Sequence, residues 1–246
     1  MIIHIHINIK LKYKKPRGSY SMKKLNENYL VKRVDVEAKL TNAEFEIQSA
    51  PMMMVADGSE YKNRMLNLFG DFDRQTISEM MRKLLKWEEE DAEILYKHSL
   101  QIKQLADPTQ LLKPIILNIN SPGGHVDELI ALVDMLESMP APVITRAYGQ
   151  VCSCGFILFC IGDERYVGPN ASLMYHEISY GIWGKDSEIK NYHEYTKKLQ
   201  KRVDRLIVNK TGLTFKVLNE WKQHGYDKWL DAKEAVKLGI ATDLLY

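Results

Sequence analysis

A chain of 246 residues in which 45% are hydrophobic has enough apolar surface for one or two packed domains, and this excludes disorder as its dominant state. Lys and Arg number 34 against 32 Asp and Glu, for a net charge of +2, so no large single-sign field exists to draw in nucleic acid. The balance is uneven: residues 1–22 carry Lys10, Lys12, Lys14, Lys15 and Arg17 with no acid, which leaves the rest of the chain at −3.

At the start, Ile3, Ile5, Ile7, Ile9, Leu11 and Tyr13 alternate with His4, His6, Asn8, Lys10 and Lys12, a period that predicts a strand. The alternation lacks the continuous apolar run of a signal peptide. His4 and His6 share a face, but two imidazoles with no third ligand nearby do not specify a metal site, and none is assigned. Met22 is an alternative start. Residues 23–63 are polar, show no clean period, and include PMMMVADG, whose methionines suit packing more than function. Residues 1–63 are therefore expected to be a partly flexible extension ahead of a domain over 64–246.

From Arg64 the pattern sharpens. RMLNLFG reads as a strand closed by Gly70, and Asp73 then caps a helix with Ile77, Met80, Met81 and Leu84 on one face. That helix is expected to end near Trp87, with a second helical stretch through WEEEDAE to about ADPTQ. PIILNIN is a short continuous apolar strand of the kind buried on both faces of a parallel sheet. SPGG follows, then a helix with Val126, Leu129, Ile130, Val133 and Leu136 on one stripe, the strand PVITRAY, a glycine turn, and a small apolar helix from about Ser153. The strands ERYVG and SLMYH precede a long polar helix over about 187–209. Helices around 214–223 and 231–238 and a strand near 240–245 complete an alternation that signifies an α/β fold. The longest apolar stretch, VCSCGFILFCIG, is too short to span a bilayer. Its three cysteines, Cys152, Cys154 and Cys160, are odd in number and clustered, which fits a reducing compartment better than a disulfide framework. A cytoplasmic protein that engages neither membrane nor nucleic acid is expected.

Three positions could carry chemistry. Ser153 lies after a strand, at the first turn of a helix, where free backbone N–H groups and the helix dipole stabilise an oxyanion; an ordinary N-cap serine would look the same. His176 ends the strand SLMYH, where side chains of α/β sheets converge on a cleft, and would serve as a base; a structural histidine is the alternative, and His125, His193 and His224 compete. Asp227 would orient an imidazole or else act as a turn residue, and Asp231 has the stronger claim to be a helix cap. The glycines of NSPGGH allow backbone N–H groups to approach a substrate, although a plain turn would also use them.

Four segments in order resemble the proteolytic subunit family of the Clp protease, ClpP. NINSPGG at 118–124 is similar to the family's Y-I-N-S-P-G-G, and GQVCSCG at 149–155 to its G-x-A-A-S-M-G around the nucleophile. RYVGPNASLMYH at 165–176 is similar to R-[FY]-x-x-P-N-[AS]-x-x-M-x-H, and YDKWLDAKEAVKLGI at 226–240 to R-D-x-[FW]-[LM]-[ST]-A-x-E-A-x-x-x-G-[LI]. The resemblance implies a serine endopeptidase with Ser153 as nucleophile, His176 as general base and Asp227 as the residue orienting it. The N–H groups of Gly124 and Cys154 would form the oxyanion hole. It further implies a ClpP/crotonase-like α/β fold of repeated ββα units, with a protruding handle strand and helix over about 181–209. Heptameric rings would stack as a tetradecamer around a chamber. An AAA+ unfoldase using ATP would feed in unfolded polypeptides, and this chain would need no cofactor and no metal.

The chain departs from the family pattern at Glu177 and Ile178, where the family has Gln-Pro, and at Tyr180, Ile182 and Trp183 in a strand that is otherwise glycine-rich. These positions bear on ring-to-ring contact and on the substrate cleft. An insertion at about 91–112 and the unfamiliar residues 1–63 lie where the family docks its unfoldase. Two alternatives stay open: a catalytically weak or inactive structural ring subunit, and a processing protease of the phage head-maturation type that works without an unfoldase. An acyl-CoA enzyme of the crotonase type would leave the serine, histidine and aspartate without a role.

Overall fold

A computed structural model describes residues 64–101, 105–223 and 225–245. The strand expected over 3–13, the His4/His6 face and the methionine cluster lie outside the described residues, as does His224.

Strand β1 (Met65–Phe69) leads to Asp73, whose carboxylate accepts the N–H of Thr76 at 2.8 Å and caps helix α1 (Arg74–Ser99). Ile77, Met80 and Leu84 are buried as expected. The helix does not end near Trp87, because Trp87, Asp91 and His98 prolong the same buried stripe as far as Ser99. WEEEDAE is helical as expected but belongs to α1 itself, and the described residues beyond it show a 3₁₀ turn at Pro108–Leu111 where the second stretch was expected to end. Arg64 holds the added length: its guanidinium donates to the carbonyls of Trp87 (3.3 Å) and Lys113 (3.2 Å) and lies 2.7 Å from the buried carboxylate of Asp91.

β2 (Ile115–Ser121) is buried on both faces and pairs in parallel with β1 and with β3 (Val143–Cys152). Between β2 and β3, α2 (Val126–Ser138) turns Leu129, Leu132, Val133 and Leu136 into the core. β3 outruns the expected PVITRAY. It passes through Gly149 at φ +55° and delivers the chain to Ser153 without a separate turn. It is this long because its first half pairs with β4 (Glu164–Val167) and its second half with β5 (Ser172–Tyr175), so both halves have ladder partners. α3 (Cys154–Cys160) is wholly buried beneath the sheet.

The long helix α4 (Asp186–Lys210) is followed by α5 (Phe215–Gln223), and then by β6 (Lys228–Leu230), which the sequence did not announce and which pairs antiparallel with β5. α6 (Ala232–Lys237) is capped by Asp231, as expected, through a reciprocal bond pair with Glu234. The last strand, β7 (Asp243–Leu244), is shorter than 240–245. The handle strand expected from about 181 is not formed in the isolated chain, where residues 177–184 carry no regular structure. Among the described residues seven strands form one sheet, parallel in every pairing except β5 with β6. This mixed α/β arrangement fits the ClpP/crotonase-like fold. Among the described residues no helix is long and apolar enough to cross a membrane.

Candidate active site

The sheet brings the expected serine and histidine together. Ser153, between β3 and α3, has φ +53° and ψ −120°, and among the described residues it alone combines a side chain with a positive φ. Such a conformation costs on the order of 1–3 kcal/mol and persists only where the surroundings impose it. Here the N–H of Ser153 donates to Met174 O at 3.0 Å, and its carbonyl accepts the N–H of Ile157 at 3.1 Å. The side chain makes no capping bond to α3. Its Oγ lies instead 2.7 Å from Nε2 of His176, so the hydroxyl is directed at the imidazole and away from the helix terminus.

His176 immediately follows β5, which is locked between β3 and β6, and this fixes where its ring emerges. Asp227, just ahead of β6, lies on the Nδ1 side of the ring. Its Oδ1 is 3.9 Å from Nδ1, beyond hydrogen-bond reach, and its side chain is 53% exposed. The pair is adjacent but open. Of the competing histidines, His193 is bonded to the hydroxyl of Tyr180 at 2.6 Å and His125 precedes α2.

The SPGG loop packs against the serine. Ser121 Oγ accepts the N–H of Gly123 at 3.1 Å, and Gly123 lies so close to Ser153 that a Cβ there would come within 2.6 Å of Ser153 Cβ. Gly124 (φ +147°) bridges to Phe72 through its neighbours: Gly123 O accepts the N–H of Phe72 and Phe72 O accepts the N–H of His125. The N–H and C=O of Gly124 itself therefore face the opposite edge, where its carbonyl accepts the Cys154 thiol at 3.3 Å. That edge is the N-terminus of α3, where the N–H of Cys154 has no intrahelical acceptor. Burial pushes the Cys154 thiol up to about 11 and raises the Cys152 thiol as well. Both sulfurs stay protonated near neutral pH, which leaves the Ser153 hydroxyl as the nucleophile candidate in this segment. Among the described residues no group of three or more His, Cys, Asp or Glu is arranged to hold a metal ion.

The family model of the Clp protease matches residues 58–245. The chain belongs to the Clp protease family. It is 32% identical over 134 residues to the ATP-dependent Clp protease proteolytic subunit 2 of Pseudomonas aeruginosa, a match spanning 54% of this chain and 66% of that protein. It is 30% identical over 183 residues to the protein of the same name from Treponema denticola, spanning 74% of this chain and 81% of that one.

In this Clp protease family member a cavity of about 220 Å³ opens beside His176 and Asp227, walled by Ile178, Trp221, Lys222 and Tyr226. Three of the divergent residues point outward, Trp183 at 97% exposure with Tyr180 and Ile182 exposed beside it, whereas Ile178 packs against the core. Sequence reasoning missed a buried polar group behind the site, formed by Tyr175, Gln200, Asp204 and Lys222. A signal was present. Gln200 and Asp204 stand one helical turn apart at the edge of the buried stripe Thr196, Leu199, Val203 and Ile207, where a carboxylate demands a partner.

Proposed function

We propose that this protein is a serine endopeptidase in which Ser153 is the nucleophile, His176 the general base and Asp227 the residue that orients the imidazole. The observation that carries the reading is the 2.7 Å approach of His176 Nε2 to Ser153 Oγ. With the imidazole proton on Nδ1, Nε2 accepts the serine hydroxyl and takes its proton as Oγ attacks the carbonyl carbon of a peptide bond. The N–H groups of Gly124 and Cys154 are the proposed donors to the resulting oxyanion. The imidazolium returns its proton to the leaving amine, an acyl-enzyme forms, and a water deprotonated by the same imidazole releases the second product. Each proton has a donor and an acceptor within this set, so the scheme assigns no cofactor or metal to the chain.

The relatives are named as proteolytic subunits of an ATP-dependent protease. On that basis residues 64–246 form the peptidase domain and residues 1–63 a divergent extension. The chain assembles into heptameric rings stacked as a tetradecamer, and an AAA+ unfoldase spends ATP to deliver unfolded polypeptides. The three cysteines are free, in keeping with a reducing cytoplasm. The 3.9 Å separation of His176 and Asp227 favours a second reading, a ring subunit of weak activity.

Hydrolysis of a fluorogenic peptide separates the two. Ser153→Ala and His176→Ala are expected to lower kcat by roughly 10⁴-fold or more, and Asp227→Ala by only about 10²-fold because its contact is open. Wild-type turnover in Ser153→Ala would overturn the assignment, and a folded wild-type oligomer without turnover would favour the weak subunit.

A further inference from the structure

We propose that the buried carboxylate of Asp204, on α4, is a positioning residue that sets the geometry of His176 and Asp227 through Tyr175 on one side and Lys222 on the other. The proposal rests on the serine peptidase reading and assigns a role to a group outside its three residues.

Asp204 is 3% exposed on a helix whose first half is open to solvent. A carboxylate in that position needs directed donors, and it has three. The Tyr175 hydroxyl donates to Oδ1 at 2.8 Å, Gln200 Nε2 donates to the same oxygen at 2.8 Å, and the Lys222 ammonium sits on Oδ2. Gln200 uses its other end as well, since Oε1 accepts the backbone N–H of Ile178 at 2.7 Å. His176 is thus bracketed. Tyr175 before it and Ile178 after it are both tied to a single turn of α4, which leaves the imidazole little freedom to rotate away from Ser153.

The second arm reaches Asp227. Lys222 lies in the last turn of α5, and the segment that leaves that helix carries Asp227. Trp221 beside it packs on the ring of Tyr175, with centroids 5.8 Å apart, so α5 is fastened both to Asp204 and to the residue preceding His176. Lys222, Trp221, His176 and Asp227 share the walls of one cavity. Burial, and next the nearby Asp204 charge, hold the Tyr175 hydroxyl well above the usual tyrosine range, so it remains a donor at any working pH. One carboxylate therefore joins the strand that bears the base to the helix that leads to the acid. Loosening it alters the His176 approach to Ser153 and the already open His176–Asp227 contact together.

The test is steady-state peptide hydrolysis by the full-length oligomer, with reactive sites counted by fluorophosphonate titration. Asp204→Asn keeps the size of the side chain and removes the charge, and Tyr175→Phe keeps the ring and removes one donor. Asp204→Asn is expected to lower kcat per titrated site roughly ten-fold or more with KM within about two-fold, and Tyr175→Phe to move kcat in the same direction. The double variant is expected to fall no further than Asp204→Asn, because both changes break one linkage. If Asp204→Asn fails to fold, Tyr175→Phe and Lys222→Met carry the test. A reduced number of titratable sites with wild-type kcat per site would mean a purely structural role and overturns the proposal. So does wild-type kcat in folded variants, which leaves the peptidase reading intact. A wild-type protein that neither hydrolyses peptide nor takes the probe overturns both.

Discussion

Gly123→Ala tests whether the SPGG loop sets the position of the nucleophile. The added Cβ would stand 2.6 Å from Ser153 Cβ, 3.0 Å from Ser153 Oγ and 3.2 Å from Cys152 O. Carbon atoms in contact prefer about 3.5–4.0 Å, so roughly 1 Å must open between the loop and Ser153. Ser153 has little room to yield, because its backbone is bonded to Met174 and Ile157 and its hydroxyl is 2.7 Å from His176 Nε2. A displacement of that size at a reacting atom costs about 10²-fold in rate. The variant also pays for φ +113°, on the order of 1–3 kcal/mol of stability. Gly70→Ala separates the two effects: Gly70 has φ +137° but no heavy atom within 4 Å of the added Cβ, so it carries the strain without the push. Chemical denaturation and peptide hydrolysis are measured on both. Gly123→Ala is expected to lose more stability than Gly70→Ala, because it adds the steric push to the strain, with kcat lost only in Gly123→Ala. Equal turnover in the two variants would refute the reasoning.

The remaining predictions concern the buried charges and thiols. Asp91 is fully buried with its carboxylate 2.7 Å from the Arg64 guanidinium, and burial raises its pKa above the usual carboxylate value in spite of the arginine. A folded-state pKa above the unfolded one means that stability falls as pH rises through that range and returns as pH is lowered. Asp91→Asn is therefore expected to cost little at neutral pH, whereas Arg64→Met strands the carboxylate and costs about 3–5 kcal/mol, a loss that narrows toward pH 4; equal costs at pH 7 in denaturation curves would count against this account. Burial holds the Cys154 thiol at about 11 and drives that of Cys160 higher still. Iodoacetamide at pH 8 is expected to leave both unmodified in native protein and to alkylate them after denaturation, as read by mass spectrometry; rapid native labelling of Cys154 would contradict its placement.

The parts of the fold that rest on local chemistry were legible in the sequence. Asp73 and Asp231 cap the helices that their positions announce, and the unbroken apolar run of PIILNIN lies in the middle of a parallel ladder. Parts that depend on a distant partner were not. β6 spans only Lys228–Leu230 and exists because β5 offers it an edge, while β3 passes Gly149 because β5 continues the ladder beyond it. The extension of α1 turned on Asp91, a polar residue on a buried stripe that only Arg64, far off in sequence, makes tolerable. At the site, the strand-to-helix setting of Ser153 and the strand-end position of His176 could be read directly, and their 2.7 Å approach follows from the pairing of β3 with β5. The 3.9 Å opening to Asp227 and the group around Asp204 depend on how α4 and α5 pack, which no local pattern encodes.

The most direct test of the serine peptidase reading is to treat the purified protein with a fluorophosphonate probe and map the adduct by mass spectrometry. The arrangement of Ser153 and His176 predicts an adduct on Ser153 that disappears in Ser153→Ala and in His176→Ala. A well-folded oligomer that takes no label, or that is labelled at Ser153 equally in the absence of His176, would contradict it.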